Sequence, residues 1–166
     1  MPNLAIIFAL AAATSTPTAP AQPPCAAAEH HQLDFWAGDW NVFQASDNTQ
    51  VGTSHIERVM DGCGISEHYS APRAPGGAYE GVSYSGYNRK DGKWHQMYVD
   101  TNGNVTWYSG GLDDGEMILE APGANNTLNK MIYRHLADGS VEQIGTVSTD
   151  YGRHYQPGYD YIYRKK

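Results

Sequence analysis

The sequence predicts an all-β protein: a single antiparallel meander β-barrel of about ten strands with a short helical plug near its N-terminus. Turn dipeptides recur along the chain, and aromatic and β-branched residues fill the segments between them. No helical periodicity interrupts these segments after Gly38, so long parallel crossovers are not expected. Because a long series of hairpins with open edges invites aggregation, the sheet is expected to close into a barrel.

Composition and charge favour one globular domain. The 166 residues are 40% hydrophobic and 17% charged, and 18 Gly with 12 Tyr favour short strands and tight turns. The sequence lacks the long apolar run that a membrane helix requires, so membrane insertion is not expected. The net charge of −7 repels phosphate backbones, which excludes nucleic acid as an expected partner.

The first 21 residues have the layout of an export signal. Residues 4–13 form an apolar core, and Ala19-Pro20-Ala21 has the small residues typical of a cleavage site. Because no Lys or Arg precedes the core, an ordinary N-terminal tail is the alternative. We interpret residues 1–21 as a signal peptide, residues 22–29 as a flexible tether and residues 30–166 as the barrel domain of a secreted or periplasmic protein.

Cys25 and Cys63 are the two cysteines of the chain. In an exported protein they most simply form one disulfide, and two free thiols are the alternative. The bond would join the N-terminal segment to a hairpin turn and contribute about 4 kcal/mol in the chain-entropy model. Neither cysteine belongs to a C-x-x-C motif, so no metal site is expected.

The segment from His30 to Trp36 has helical character and leads into the first strand. Gly38 allows the chain to bend tightly between plug and strand. Trp40 then fills the narrow end of the barrel. We therefore predict that Gly38 and Trp40 have structural roles and do not contact a ligand.

Five turn dipeptides punctuate the remaining chain: Asp61-Gly62, Asp91-Gly92, Asn102-Gly103, Asp114-Gly115 and Asp138-Gly139. They predict ten strands, near residues 39–45, 52–60, 63–70, 81–90, 93–101, 104–112, 116–121, 128–137, 140–149 and 158–165. The long connection over residues 71–80 is rich in Pro and Gly and is either a lid over a pocket or a surface loop.

A two-residue turn at Asp61-Gly62 would set the register of the flanking strands, with Arg58 opposite Ile65 and Ile56 opposite Glu67. Ile56, Ile65 and Met60 make this face the inward one. Arg58 and Glu67 then lie diagonally inside the barrel, as a polar ligand contact or as a structural ion pair.

The opposite face of this hairpin carries His55, Glu57 and His68. Two imidazoles and a carboxylate are the ligand types of a non-haem metal triad. Because the other face is the more apolar one, this face is expected to be exposed to solvent, and no metal site is predicted.

Two-residue turns at Asp91-Gly92 and Asn102-Gly103 would likewise set the register of the strands over residues 82–109, and either of the two faces of these strands could point inward. The first contains Ser83, Ser85, Tyr87, Trp94, Gln96, Tyr98, Trp107 and Ser109, and the second contains Val82, Tyr84, His95, Met97, Val99, Thr106 and Tyr108. Aliphatic content favours the second. We favour the first, because ligand pockets combine apolar walls with a few polar groups, and because a bulge at Gly110-Gly111 would reconcile it with Met117 and Leu119.

The inward face of the Asp61-Gly62 hairpin and the favoured face of residues 82–109 provide the predicted ligand-binding residues. The alternative is that these side chains only fill the core. The predicted residues are Arg58, Glu67, Tyr69, Ser85, Tyr87, Trp94, Gln96, Tyr98 and Trp107.

Several motifs resemble a family of exported bacterial domains of unknown function that is regarded as lipocalin-like. Its barrel is similar to the calycins and, more loosely, to nitrobindin. The motif residues are Asp34-Phe35-Trp36, Gly38-Asp39-Trp40, Ile56-Glu57-Arg58, Asp61-Gly62-Cys63, Gly92-Lys93-Trp94-His95-Gln96, Val99-Asp100, Asp160 and Tyr163-Arg164. Departures from the usual pattern are Tyr98, where the family commonly has Trp, and the Tyr-rich last strand.

The resemblance implies a fold and a structural contact rather than a reaction. In lipocalins an arginine of the last strand covers the first tryptophan by a cation–π contact, which implies this role for Arg164 over Trp40. No proximal-histidine motif matches nitrobindin, so haem is not expected, and no other cofactor is indicated.

The leading functional hypothesis is a secreted or periplasmic barrel that holds a small hydrophobic or amphiphilic molecule, as a monomer or weak homodimer. One alternative is an isomerase or hydrolase that uses Glu67, Arg58 or His95 in the cavity. The other is a fully packed barrel with a structural or interaction role. A cavity volume distinguishes the packed barrel from the other two.

Overall fold

The computed structural model describes residues 23–166, so the signal peptide expected in residues 1–21 lies outside the described residues. Ten antiparallel strands form a closed barrel in meander order, which confirms the predicted fold class. The strands are β1 (Gly38–Gln44), β2 (Gln50–Val59), β3 (Gly64–Ala71), β4 (Tyr79–Asn88), β5 (Lys93–Asp100), β6 (Val105–Asp113), β7 (Glu116–Pro122), β8 (Leu128–His135), β9 (Val141–Ser148) and β10 (Gln156–Lys165).

Two short 3-10 helices, Ala28–His31 and Asp34–Trp36, form the plug that precedes β1. Trp36 is fully buried, and its ring centroid lies 4.7 Å from that of Tyr133 on β8. Trp40 is also fully buried and donates a 2.9 Å hydrogen bond from Nε1 to the carbonyl oxygen of Trp36. The plug therefore seals one end of the barrel with indole rings, as the sequence predicts.

Gly38 makes the tight bend between the plug and β1. Its φ of +151° lies in a region that residues with a Cβ rarely adopt. A Cβ at this position would also lie 3.3 Å from the indole of Trp40. Both observations agree with the structural roles predicted for Gly38 and Trp40.

The predicted contact of Arg164 with Trp40 is wrong by one residue. Lys165 is the residue opposite Trp40 in the β1–β10 pair, and its Nζ lies 5.6 Å from the ring centroid. Because neighbouring residues of a strand point to opposite faces, Arg164 points outward, where its guanidinium lies 4.8 Å from the ring centroid of Phe43.

A disulfide joins Cys25 to Cys63, with a Cα–Cα distance of 5.1 Å, and confirms the predicted bond. It attaches the segment before the plug to the connection between β2 and β3. The closed end is thus held by a covalent link as well as by packing.

The β2–β3 register is the predicted one, with Ile56 opposite Glu67 and Arg58 opposite Ile65. Met60, however, is 67% exposed and does not belong to the inward face. The reason is that Met60–Gly62 form a short 3-10 turn rather than the last residues of the hairpin.

Candidate functional site

A cavity of about 1220 Å³ occupies the end of the barrel away from the plug. Its rim includes Thr49, Arg73 and Gly123 from three different loops. Arg73 belongs to the long connection that the sequence marks as a lid or a surface loop. That connection therefore borders the mouth of the cavity, and the barrel is not packed along its full length.

Tyrosine dominates the lining of the cavity. Eight of the 12 tyrosines of the chain contribute to it: Tyr69, Tyr79, Tyr98, Tyr108, Tyr133, Tyr159, Tyr161 and Tyr163. They provide broad apolar faces, and their hydroxyls add polar atoms without adding charge. The rings of Tyr159 and Tyr161 stack with centroids 4.9 Å apart.

Glycines on neighbouring strands make room for several of these rings. A Cβ at Gly81 would overlap the hydroxyl end of Tyr98, and one at Gly145 would overlap the ring of Tyr159. The rings therefore lie against the wall over a strand that has no side chain beneath them. This arrangement keeps the centre of the cavity open although the wall is aromatic.

Glu67 on β3 lies at the inner end of the cavity and is only 5% exposed. Ser54 on β2 donates a 3.1 Å hydrogen bond to its Oε1, and Ser83 on β4 donates a 3.2 Å bond to its Oε2. The alternating pattern of the strands places all three side chains on the inner face.

Burial raises the pKa of Glu67 to about 7, because removal from water disfavours the charged form. The hydrogen bonds from Ser54 and Ser83 oppose this shift but do not cancel it. The carboxyl group is therefore close to half ionised at neutral pH and can act as an acceptor or as a donor.

A network of uncharged polar groups continues from Glu67 around the barrel. Nε2 of Gln96 lies 3.1 Å from Ser85 Oγ and 3.4 Å from the hydroxyl of Tyr133. Further round, Tyr163 donates a 2.7 Å hydrogen bond to Oε1 of Gln143. These residues form a polar floor between the plug and the cavity.

The mouth of the cavity has its own polar cluster. The hydroxyls of Tyr79 and Tyr98 lie 2.9 Å apart, and Tyr79 donates a 3.3 Å bond to Oδ2 of Asp100. Burial acts to raise the pKa of Asp100, but its hydrogen bonds, above all those from Asn104, outweigh this and lower the pKa below its ordinary value. Asp100 is therefore a second carboxylate along the cavity lining.

The structure brings five of the nine predicted contacts to the cavity and leaves four elsewhere. The five are Glu67, Tyr69, Gln96, Tyr98 and Trp107, whereas Arg58, Ser85, Tyr87 and Trp94 do not line it. Of these five, Trp107 only borders the cavity, because most of its side chain is exposed on the outer face. Ser85 belongs to the polar floor, where it accepts a hydrogen bond from Gln96, but it does not line the cavity.

Arg58 and Glu67 lie diagonally in the register, as predicted, but the structural ion pair that was one of the two alternatives does not form. Its guanidinium forms an ion pair with Asp34 of the plug and donates to the carbonyl oxygen of Gly62. Arg58 lies beside the plug, so Asp34 and Gly62 bind its guanidinium and the group does not reach the cavity.

Tyr87 and Trp94 face inward, as the favoured face requires, but at the closed end. Trp94 is buried and donates a 3.0 Å hydrogen bond from Nε1 to Oε1 of Gln32 beside the plug. Tyr87 packs edge-on against His30, with ring centroids 5.3 Å apart. The connection between β4 and β5 is two residues longer than predicted, and an even shift keeps each residue on its predicted face.

Trp107 does not share the face of Gln96. Tyr108 is opposite Gln96 and turns inward, while Trp107 is opposite Met97 and is 65% exposed. The β5–β6 turn has an odd number of loop residues, and an odd shift moves every later side chain to the other face. β6 then pairs with β5 and β7 without a register shift, so no bulge at Gly110-Gly111 is needed.

Sequence reasoning missed several residues of the lining, above all those of β8 and β10. Tyr159, Tyr161 and Tyr163 alternate along β10, and this period of two is the signal that could have identified an inner face. Met131 and Tyr133 on β8 show the same spacing, and both line the cavity.

Comparisons with known proteins provide no relative for this site. No family model matches the chain, and no curated protein shows significant similarity to it. The resemblance to a lipocalin-like family therefore rests on the motif residues and stays a prediction.

Among residues 23–166, no helix is long and apolar enough to cross a membrane. No group of three or more His, Cys, Asp or Glu side chains in the described residues is arranged to hold a metal ion.

Proposed function

We propose that the protein is a secreted or periplasmic carrier that binds a small amphiphilic molecule inside its barrel. The observation that carries this proposal is the cavity of about 1220 Å³, since small-molecule sites start at roughly 300 Å³. Ring faces along the wall suit an apolar body, and the polar floor and mouth suit a head group. The Cys25–Cys63 disulfide supports an oxidising compartment.

Native mass spectrometry of the protein purified from its own host tests the proposal. We expect a species heavier than the polypeptide by the mass of a small molecule, which is released on denaturation. Protein that is consistently free of such a molecule would contradict tight carriage.

Cavity filling provides a second test with a matched control. Thr106 lines the cavity, so Thr106→Trp is expected to place an indole in the binding volume and weaken retention of the molecule. Leu112→Trp adds an indole to the exposed end of the same strand, outside the lining, and should retain the molecule. Equal retention by both variants would place binding elsewhere.

Acid–base catalysis is the second candidate function, and the pKa of about 7 at Glu67 favours it. A carboxyl group near half ionisation can take a proton from a bound molecule and return it. In D₂O, a molecule retained by the protein should then gain deuterium, and Glu67→Gln should abolish this exchange. A carrier without catalysis leaves the molecule unlabelled in both proteins.

A further inference from the structure

The hydrogen-bonding capacity of Glu67 is only partly used by the protein. A carboxylate can accept about four hydrogen bonds, whereas Ser54 and Ser83 donate one each. Because Glu67 lines the cavity, the remaining acceptor positions are available to a bound molecule. The floor of the cavity thus presents a negative group with free acceptor capacity.

The charge of Glu67 has no cationic partner among residues 23–166. Arg73 is the one cationic residue of the described lining, and it lies in the loop at the mouth. Arg58, the other cation considered for this role, is held by Asp34 and Gly62 at the closed end. A buried carboxylate without a counter-ion is costly, and a ligand cation would remove much of that cost.

The wall of the cavity also suits a cation. The faces of tyrosine rings carry partial negative charge and attract ammonium groups. Tyr69 and Tyr133 both line the cavity, and their pKa values are raised mainly by burial and further by the nearby charge of Glu67. These rings remain neutral, so they do not compete with Glu67 as charged partners of the ligand.

Negative charge elsewhere on the protein also favours a cationic ligand. Asp100 provides a second carboxylate on the lining, beside Tyr79 at the mouth. The net charge of −7 attracts cations to the molecule as a whole.

We propose, on the basis of the binding function above, that the ligand is a small organic amine whose ammonium group pairs with the Glu67 carboxylate at the cavity floor. Its apolar body lies along the tyrosine wall. Recognition therefore depends on charge at the floor and on ring contacts along the wall.

Three fluorescent probes test this inference: dansyl groups on a short alkyl chain that ends in an ammonium, a methyl or a carboxylate. Fluorescence titration of the full-length protein should give the tightest binding for the ammonium probe, by about tenfold over the methyl probe, as a charged hydrogen bond implies. Glu67→Gln should remove this preference, so that the ammonium and methyl probes bind with affinities within about twofold of each other.

The outcomes separate the inference from the proposed function. Equal affinity for the ammonium and methyl probes, or a preference for the carboxylate, would overturn the amine inference and leave the carrier function standing. Binding of none of the probes would count against both. If Glu67→Gln unfolds, Ser54→Ala serves as a second variant, and it should lower the affinity for the ammonium probe alone.

Discussion

The closed and open ends of the barrel are both rich in aromatic side chains, but they use them in opposite ways. Trp36, Trp40 and Trp94 at the closed end are buried in one hydrophobic core, and they fill the space there. At the open end, tyrosines lie along the wall over glycines and surround a cavity. Close-packed indole rings stabilise the fold at the closed end, whereas tyrosine rings that lie against the wall leave room for a ligand at the open end.

The polar groups of the two ends differ in the same sense. At the closed end, Arg58 is paired with Asp34, and the indole nitrogens of Trp40 and Trp94 donate to Trp36 and Gln32 respectively. At the open end, Glu67 has hydroxyl partners and no cation among the described residues. Both ends contain polar groups with unused hydrogen-bonding capacity, since Nε1 of Trp36 and both ring nitrogens of His30 have no partner at the closed end. The two ends differ in charge: the buried charge of Arg58 is paired, whereas the Glu67 carboxylate has no cationic partner among the described residues and therefore indicates a binding site.

The largest effect is expected at the closed end. Trp40→Ala should lower the free energy of unfolding by about 3–5 kcal/mol, because it removes a fully buried indole from a packed region. Urea denaturation measures this change. Trp107→Ala is the matched control, because Trp107 is exposed on the outer face, and its cost should be within about 0.5 kcal/mol.

Probe binding completes this comparison of the two ends. Trp40 does not line the cavity. Under conditions in which the Trp40→Ala variant is folded, it should therefore bind the ammonium probe with the affinity of the wild type. Loss of binding with unchanged stability would mean that the closed end takes part in recognition and that the division between the two ends is false.

An intermediate effect is expected from the pH dependence of stability. Glu67 has a pKa of about 7 in the folded protein against an ordinary value of 4.5, so folding favours its protonated form. Its contribution is complete below about pH 4.5 and is lost as the pH rises through about 7. Relative to Glu67→Gln, the wild type should therefore lose roughly 3 kcal/mol between pH 4.5 and 8.

The other titratable groups around Glu67 do not obscure this comparison. Those that its charge influences are tyrosines, whose pKa values are raised, so they stay neutral in this pH range: Tyr69, Tyr79, Tyr98, Tyr133, Tyr159 and Tyr163. The pKa of Asp150 is lowered mainly by its hydrogen bond with His154, so its effect falls in more acidic solution. Parallel pH profiles for wild type and Glu67→Gln would contradict this prediction, because they would show that folding does not change the pKa of Glu67.

The two ends also differ in how well the sequence predicts them. Gly38, Trp40 and the Cys25–Cys63 bond are predicted because their chemistry is local: a tight bend, a large ring and two thiols. The cavity wall depends on the parity of loop lengths, and a dipeptide such as Asn102-Gly103 occurs in both two-residue and three-residue hairpins. One additional loop residue exchanged Trp107 for Tyr108 on the inner face.

Contacts between side chains on strands that no hairpin connects cannot be predicted from hairpin register. Tyr133 on β8 meets Trp36 of the plug and Gln96 on β5, and no turn relates these three positions. Their meeting follows from closure of the barrel and the packing of its interior. The face of each strand can be inferred from hairpin register, but the partners across the interior cannot.

The smallest effect on stability, and the sharpest on binding, is expected at the glycines beneath the tyrosine wall. Gly81→Ala places a methyl group where the hydroxyl end of Tyr98 lies, so the ring must move away from the wall and its contact with Tyr79 must change. Because a flexible side chain can adapt, the cost in stability should be about 1 kcal/mol. The displaced ring reduces the cavity, so the methyl probe should bind at least about tenfold more weakly.

Gly111→Ala is the control for Gly81→Ala, since a Cβ at Gly111 meets no atom within 4 Å, and it should change neither the stability nor the affinity for the methyl probe. Normal probe binding by Gly81→Ala would show that recognition does not depend on the position of the Tyr98 ring.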